Sequence, residues 1–192
     1  AYGDEDKNEI APGVEAARAE GINVTGPSSP DSVFRYMCDH YRALAVVHTE
    51  FYAAFFSALL EDQALPLLFH CASGKDRTGW AAAAVLSALD VPREHILADY
   101  AISDRPSHQR NLDHLFGPQA DPACRARVAA AHPHYLLAAF EAVEQRWGDM
   151  DHYLHQALGL DPAGRRRLAR GGPRRRRRRR RRRRGCPAGS PT

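Results

Sequence analysis

Residues 70–79 read His-Cys-Ala-Ser-Gly-Lys-Asp-Arg-Thr-Gly. A cysteine followed after five residues by Arg77 and Thr78 is the spacing that sets a sulfur nucleophile opposite a guanidinium. Arg77 offers a planar fork that meets two phosphate oxygens at once. Cys71 opens a loop whose backbone N–H groups can converge on an anion, and the field that attracts phosphate also favours thiolate over thiol. Thr78 is placed to hydrogen-bond the sulfur, and His70 to orient the cysteine backbone through its ring. Gly74 and Gly79 permit a tight turn and a close approach. These are the parts of a covalent phosphoryl-transfer site that works through a cysteinyl-phosphate intermediate.

The flanking segments say how such a loop is held. Leu65-Pro66-Leu67-Leu68-Phe69 is a short apolar run ended by polar residues, which reads as a buried strand. Trp80–Leu89 is rich in good helix formers, with Pro92 marking its end. The motif thus spans a strand–loop–helix turn with its amides at a helix N-terminus. Taken singly, the residues have blander explanations. A buried cysteine is commonly a small core residue, a histidine beside it a satisfied core group, and an Asp before a glycine a helix cap. Eight specified positions in register at one junction outweigh those explanations. A nucleotide-binding pattern Gly-x4-Gly-Lys-Ser/Thr fails, because Asp76 follows Lys75 and Phe69 stands where the earlier glycine is required.

The decapeptide resembles the signature of cysteine-dependent protein tyrosine phosphatases. Within them it is most similar to the bacterial, mycobacterial-type group whose loop reads His-Cys-x-x-Gly-Lys-Asp-Arg-Thr-Gly. The likeness extends to Tyr36-Met37-Cys38-Asp39-His40-Tyr41-Arg42, to Ile96-Leu97-Ala98-Asp99-Tyr100 and to Trp147–Leu154, and covers roughly residues 31–168. It implies an α/β fold, a small central sheet flanked by many helices. It implies Cys71 as nucleophile and Arg77 as phosphate binder, with His70, Ala72, Ser73, Gly74, Thr78 and Gly79 completing the cradle. Lys75 and Asp76 are implied as loop residues that broaden substrate choice, from phosphotyrosine to phosphoserine/threonine and phosphoinositides.

Ester cleavage also needs a proton for the leaving oxygen. Asp76 is the local candidate, its place resembling that of the loop aspartate in myotubularin-like lipid phosphatases; the other role open to it is a loop-stabilising hydrogen bonder or helix cap. Asp99 and Asp104 are weaker candidates, Asp99 being expected on a solvated helix face.

The family pattern includes an N-terminal portion with early strands and an Asp-Leu-Arg segment that residues 1–30 do not match. Those residues read as an irregular remnant, acidic and then rich in Gly, Pro and Ser. The expectation is an N-terminally truncated phosphatase domain over 31–170, weakly active or inactive by itself. Its helices are expected from an Asp31 or Ser32 cap to about Ala45, over Val47–Glu61, from Pro92 to about Ser103, within 104–122, and near 123–131, 134–147 and 149–158. Asp161-Pro162 reads as one more cap with proline at a first helical position.

The 192 residues carry a net charge of +4. Setting aside the unbroken eleven-arginine run Arg174–Arg184 leaves the rest at −7. The folded part is therefore acidic, and residues 171–192 are expected to be a disordered tail kept extended by self-repulsion. A solvated tail is the favoured reading over attachment to nucleic acid or an anionic membrane. No run approaches the roughly 18 apolar residues that a membrane-spanning helix needs. The four cysteines lack metal-ligand spacing and the ten histidines form no paired motif, so no metal or cofactor is expected. A thiolate enzyme suits a reducing cytosol, with export left open by the unmatched N-terminus.

Two functions from different classes follow. The leading one is a phosphatase acting on phosphotyrosine and, by resemblance, on phosphoserine/threonine and phosphoinositides. The alternative is an anion-binding or tethering protein built from the loop and the arginine tail. A rhodanese-like sulfur carrier is disfavoured, since nothing in that chemistry requires Arg-Thr at this spacing.

Overall fold

The computed structural model describes residues 29–61, 65–104 and 121–170. The remnant over 1–28, most of the 104–122 segment and the arginine tail lie outside the described residues. Eight helices are described: α1 Pro30–Val46, α2 Thr49–Leu59, α3 Asp76–Ala88, α4 Arg93–Ala101, α5 Pro122–Ala129, α6 Pro133–Trp147, α7 Met150–His152 and α8 Pro162–Ala169. After α7 the chain widens into a π-helical turn over Tyr153–Ala157.

Capping chemistry sets most of these boundaries. The cap of α1 is Ser29 rather than Asp31 or Ser32: its hydroxyl accepts from Ser32 N at 3.2 Å while Ser32 Oγ accepts from Ser29 N at 3.0 Å. This reciprocal pair satisfies two orphan donors, and Pro30 supplies a first helical residue with no N–H to lose. A one-way side-chain cap followed by a proline recurs where Asp121, His132 and Asp161 cap α5, α6 and α8. The Asp161-Pro162 start is the one read from the sequence.

The core is helix on helix. α1 lies along α6, burying Val33, Met37, Tyr41 and Leu44 against Tyr135, Leu136, Ala139, Phe140 and Val143. Trp80, near the start of α3, is fully buried, with its ring edge-on to Phe140 and its Nε1 donating to the Tyr153 hydroxyl at 3.3 Å. The far end of α3 is held by Arg165 of α8. Its guanidinium donates to Ala88 O at 2.7 Å and Ser87 O at 3.2 Å, and also pairs with Asp151 at 2.6 Å and Asp90 at 2.5 Å. The last carbonyls of α3, which have no partner within the helix, are satisfied in this way.

The sheet expected from Leu65–Phe69 is not found: among the described residues there is no strand. The segment is non-helical, and Leu68 is 88% exposed. An apolar run becomes a buried strand only where a neighbour pairs with its backbone, and no described segment does so. Phe69 alone packs inward, its ring 4.9 Å from that of Phe55 on α2. The catalytic-loop helix also begins earlier than expected, at Asp76, because Gly79 N already bonds Lys75 O at 2.7 Å.

At Gly79 the Tyr100 ring of α4 packs directly on α3. A Cβ there would lie 2.8 Å from Tyr100 Cε2 and 2.9 Å from Cδ2. Overpacking of this kind costs about 1–3 kcal/mol. Gly79→Ala is therefore expected to lower the melting temperature by several degrees, at roughly 2–4 °C per kcal/mol for a domain of this size. A thermal melt unchanged from the parent would show that the Tyr100 ring is free to move.

Candidate active site

The loop joins Phe69, anchored on α2, to the first turn of α3. Cys71 N donates to Thr78 Oγ1 at 2.9 Å, closing the loop across seven residues. Gly74 sits at φ 65°, a left-handed conformation that a β-carbon resists. His70 Nδ1 lies 3.2 Å from Cys71 O, so its ring holds the cysteine backbone when Nδ1 carries the proton.

The sulfur is half-buried, and its environment has a clear balance. Burial pushes the thiol up; the Thr78 hydroxyl and the N–H groups of Thr78, Lys75 and Ser73 outweigh it, and the group ends below its ordinary value. Those three amides are the converging nest expected of an anion cradle. Arg77 is exposed and makes no hydrogen bond or ion pair with the described residues. Ala72 and Gly74 line the outer side of the loop, and Ser73 is half-buried.

The Lys75 side chain, unlike its amide, does not join this cradle. Only 3% exposed, it turns inward, and its Nζ donates to Val128 O at 2.5 Å and Ala130 O at 3.1 Å at the end of α5. A helix C-terminus presents unpaired carbonyls and a partial negative charge, which is where an ammonium is stabilised. Lys75 Nζ also lies 3.2 Å from Asp76 Oδ1. That oxygen accepts a further bond from the Tyr41 hydroxyl at 2.8 Å, and the Tyr41 hydroxyl is 2.5 Å from that of Tyr100. The Asp76 side chain stays 24% exposed.

Asp99 lies on the exposed face of α4, as its spacing predicts, at a cleft between α3 and α4 that Gly74, Thr78, Tyr100 and Ser103 also line. Asp104 follows α4 and is exposed. Neither forms a hydrogen bond with the loop.

Sequence reasoning missed Tyr41, Tyr52, Tyr100 and His40 as groups around the site. Tyr52 is buried on α2, its phenol pushed up by burial and within electrostatic reach of Arg77, Cys71 and Asp76. His40, beside Tyr41, is pushed down by burial, an effect that Asp76 opposes and Lys75 and Arg77 reinforce. Tyr41, His40 and Tyr100 all fall within the stretches that carried the family resemblance, so a signal was present. Tyr52 had none, being one aromatic in the stripe that reads as ordinary core.

A sulfur held below its ordinary thiol range by amides at a helix N-terminus, in one loop with an exposed arginine, is an arrangement suited to chemistry on phosphate esters. The chain belongs to the tyrosine phosphatase family, whose model matches residues 6–171. It is 35% identical over 139 residues to a protein of Cupriavidus necator that carries a provisional tyrosine-protein phosphatase name, a match covering 71% of this chain and 50% of that one. It is 31% identical over 176 residues to the triple specificity protein phosphatase PtpB of Mycobacterium tuberculosis, covering 80% of this chain and 64% of the relative. A tyrosine-protein phosphatase of Nostoc commune is 34% identical over 110 residues, 52% of this chain and 36% of that protein. The chain thus spans less than two thirds of the length of each of these relatives.

Proposed function

We propose that the chain hydrolyses phosphotyrosine, and with it phosphoserine/threonine and phosphoinositide monoesters, by double displacement through Cys71. The observation that carries this reading is the lowered Cys71 thiol, set among the amides of Ser73, Lys75 and Thr78 in one loop with an exposed Arg77 that has no partner among the described residues. The amides and the guanidinium bind the three non-bridging oxygens, and the sulfur attacks phosphorus in line with the leaving oxygen. Asp76 gives the leaving group its proton and later takes one from the attacking water. By its likeness to the family's α/β fold, Leu65–Phe69 is read as the segment that delivers Cys71. The thiolate chemistry suits a reducing cytosol. Among the described residues no helix is long and apolar enough to cross a membrane.

Steady-state turnover of p-nitrophenyl phosphate tests the reading. It is expected to need no metal, to survive a chelator and to be inhibited by vanadate, a mimic of the five-coordinate phosphorus. The folded-state thiol titrates below its free value, so the thiolate is lost only as pH falls through that lowered value. The rate should accordingly rise with pH through an acid limb lying below the ordinary cysteine range. Turnover that vanishes with a chelator, or an acid limb at the pKa of a free thiol, would overturn the mechanism.

A further inference from the structure

Behind the cradle, three buried or half-buried groups form a chain with a single direction. Tyr41 on α1 is fully buried, its hydroxyl 2.8 Å from Asp76 Oδ1 and 2.5 Å from the Tyr100 hydroxyl on α4. Burial holds both phenols above their ordinary range, so each keeps its proton at any working pH. A phenol has one hydrogen to give. Tyr41 gives it to the acceptor-only carboxylate, so its own oxygen accepts from Tyr100. The order is Tyr100 to Tyr41 to Asp76. Lys75 Nζ, at 3.2 Å, converges on the same Oδ1. Oδ2 has no hydrogen-bond partner among the described residues. With two donors already on Oδ1, a proton carried by this carboxyl group sits on Oδ2.

We propose that Tyr41, backed by Tyr100, is a positioning residue that holds Asp76 so that Oδ2 delivers the proton to the leaving oxygen. The inference rests on the reading of Asp76 as the acid of the proposed phosphatase. In the first step a bond forms between the Cys71 sulfur and phosphorus. The ester P–O bond breaks with its electron pair on the leaving oxygen, which takes the proton from Oδ2. The charge left on Asp76 is shared with Oδ1, where the Tyr41 and Lys75 donors already stand. Water then attacks phosphorus, the electron pair of the S–P bond returns to sulfur, and Asp76 recovers a proton from the water. Donors that meet charge only as it develops lower the barrier and leave ground-state binding almost unchanged.

The experiment compares the full chain with Tyr41→Phe, Tyr100→Phe and Asp76→Asn on two substrates. One is p-nitrophenyl phosphate, whose leaving group departs as a stable anion. The other is a phosphoserine peptide, whose alkoxide needs the proton. Tyr41→Phe should lower kcat on the phosphoserine peptide about tenfold, the worth of one hydrogen bond to a charged group. On the nitrophenyl ester kcat should change less than about twofold, and KM should stay put on both. Retained nitrophenyl turnover also certifies a folded cradle. Tyr100→Phe should show the same pattern, smaller. Asp76→Asn should slow both substrates, since the group that takes the proton of the attacking water is lost too, and should slow the phosphoserine peptide about a hundredfold more than the nitrophenyl ester. If Asp76→Asn discriminates between the substrates and Tyr41→Phe slows both alike or neither, the positioning role is wrong and the acid stands. If Asp76→Asn does not discriminate, the acid assignment falls and takes this inference with it. A parent chain that turns over neither substrate overturns the enzymatic reading itself.

Discussion

Cys71→Ser is expected to abolish turnover, by about a thousandfold or more, while the melting temperature stays close to that of the parent. Serine is nearly isosteric, its backbone N–H still reaches Thr78 Oγ1, and the half-buried position tolerates the smaller atom. The cradle can lower the thiol below its ordinary range. The same hydrogen bonds cannot ionise an alcohol, whose pKa lies many units higher. With no nucleophile the covalent path closes, and losses of this size are what removal of a nucleophile produces elsewhere. The cradle itself should remain, so phosphate or tungstate should still protect the variant against heat. The measurement is kcat on p-nitrophenyl phosphate together with a ligand-dependent melt. A serine variant retaining a tenth of parental activity would mean that another group attacks phosphorus.

Lys75→Met carries the second largest effect, and it separates two roles for that side chain. As a head-group ligand, the lysine would matter to KM on a phosphoinositide and hardly at all to stability. Its place in the structure points the other way. Nζ is buried and supplies donors to Val128 O and Ala130 O, and methionine leaves both carbonyls without them. Unpaired buried polar groups cost about 1–3 kcal/mol each. Some of that is recovered by relaxation at the end of α5, so a loss of about 2–3 kcal/mol and a fall of roughly 5–10 °C in melting temperature are expected. Asp76 also loses one of the two donors on Oδ1. The kcat should therefore fall on alkyl phosphates, a phosphoserine peptide and a phosphoinositide alike, and fall less on a small aryl phosphate whose leaving group needs no proton. A drop confined to the phosphoinositide, with an unchanged melt, would place the ammonium at the substrate after all.

Much of the site was legible because its chemistry is local. Cys71, Thr78 and the amides between them lie within eight residues, and their spacing alone dictates the nest that the geometry contains. One helix border was legible for a similar reason: a capping side chain followed by proline acts over two or three positions, as at Asp161-Pro162. What could not be read was long-range. Whether Leu65–Phe69 becomes a strand depends on a partner elsewhere in the chain, which the run itself cannot reveal. Nor does the text of the loop say whether Lys75 faces substrate or fold, since that depends on α5 ending beneath it, more than fifty residues later. Tyr41 and Tyr100 reach Asp76 from 35 residues upstream and, through Tyr41, from a helix on its other side. The resemblance marked both stretches without saying what they touch.

The clasp that Arg165 makes on the last carbonyls of α3 bears on how recombinant versions should be cut. The helix that begins in the cradle ends on a side chain of α8. Expression boundaries drawn after the π-helical turn, where the aromatic core looks finished, would discard that anchor and let the tail of the helix that follows the Cys71 loop fray. A C-terminal border at or beyond residue 170 keeps it.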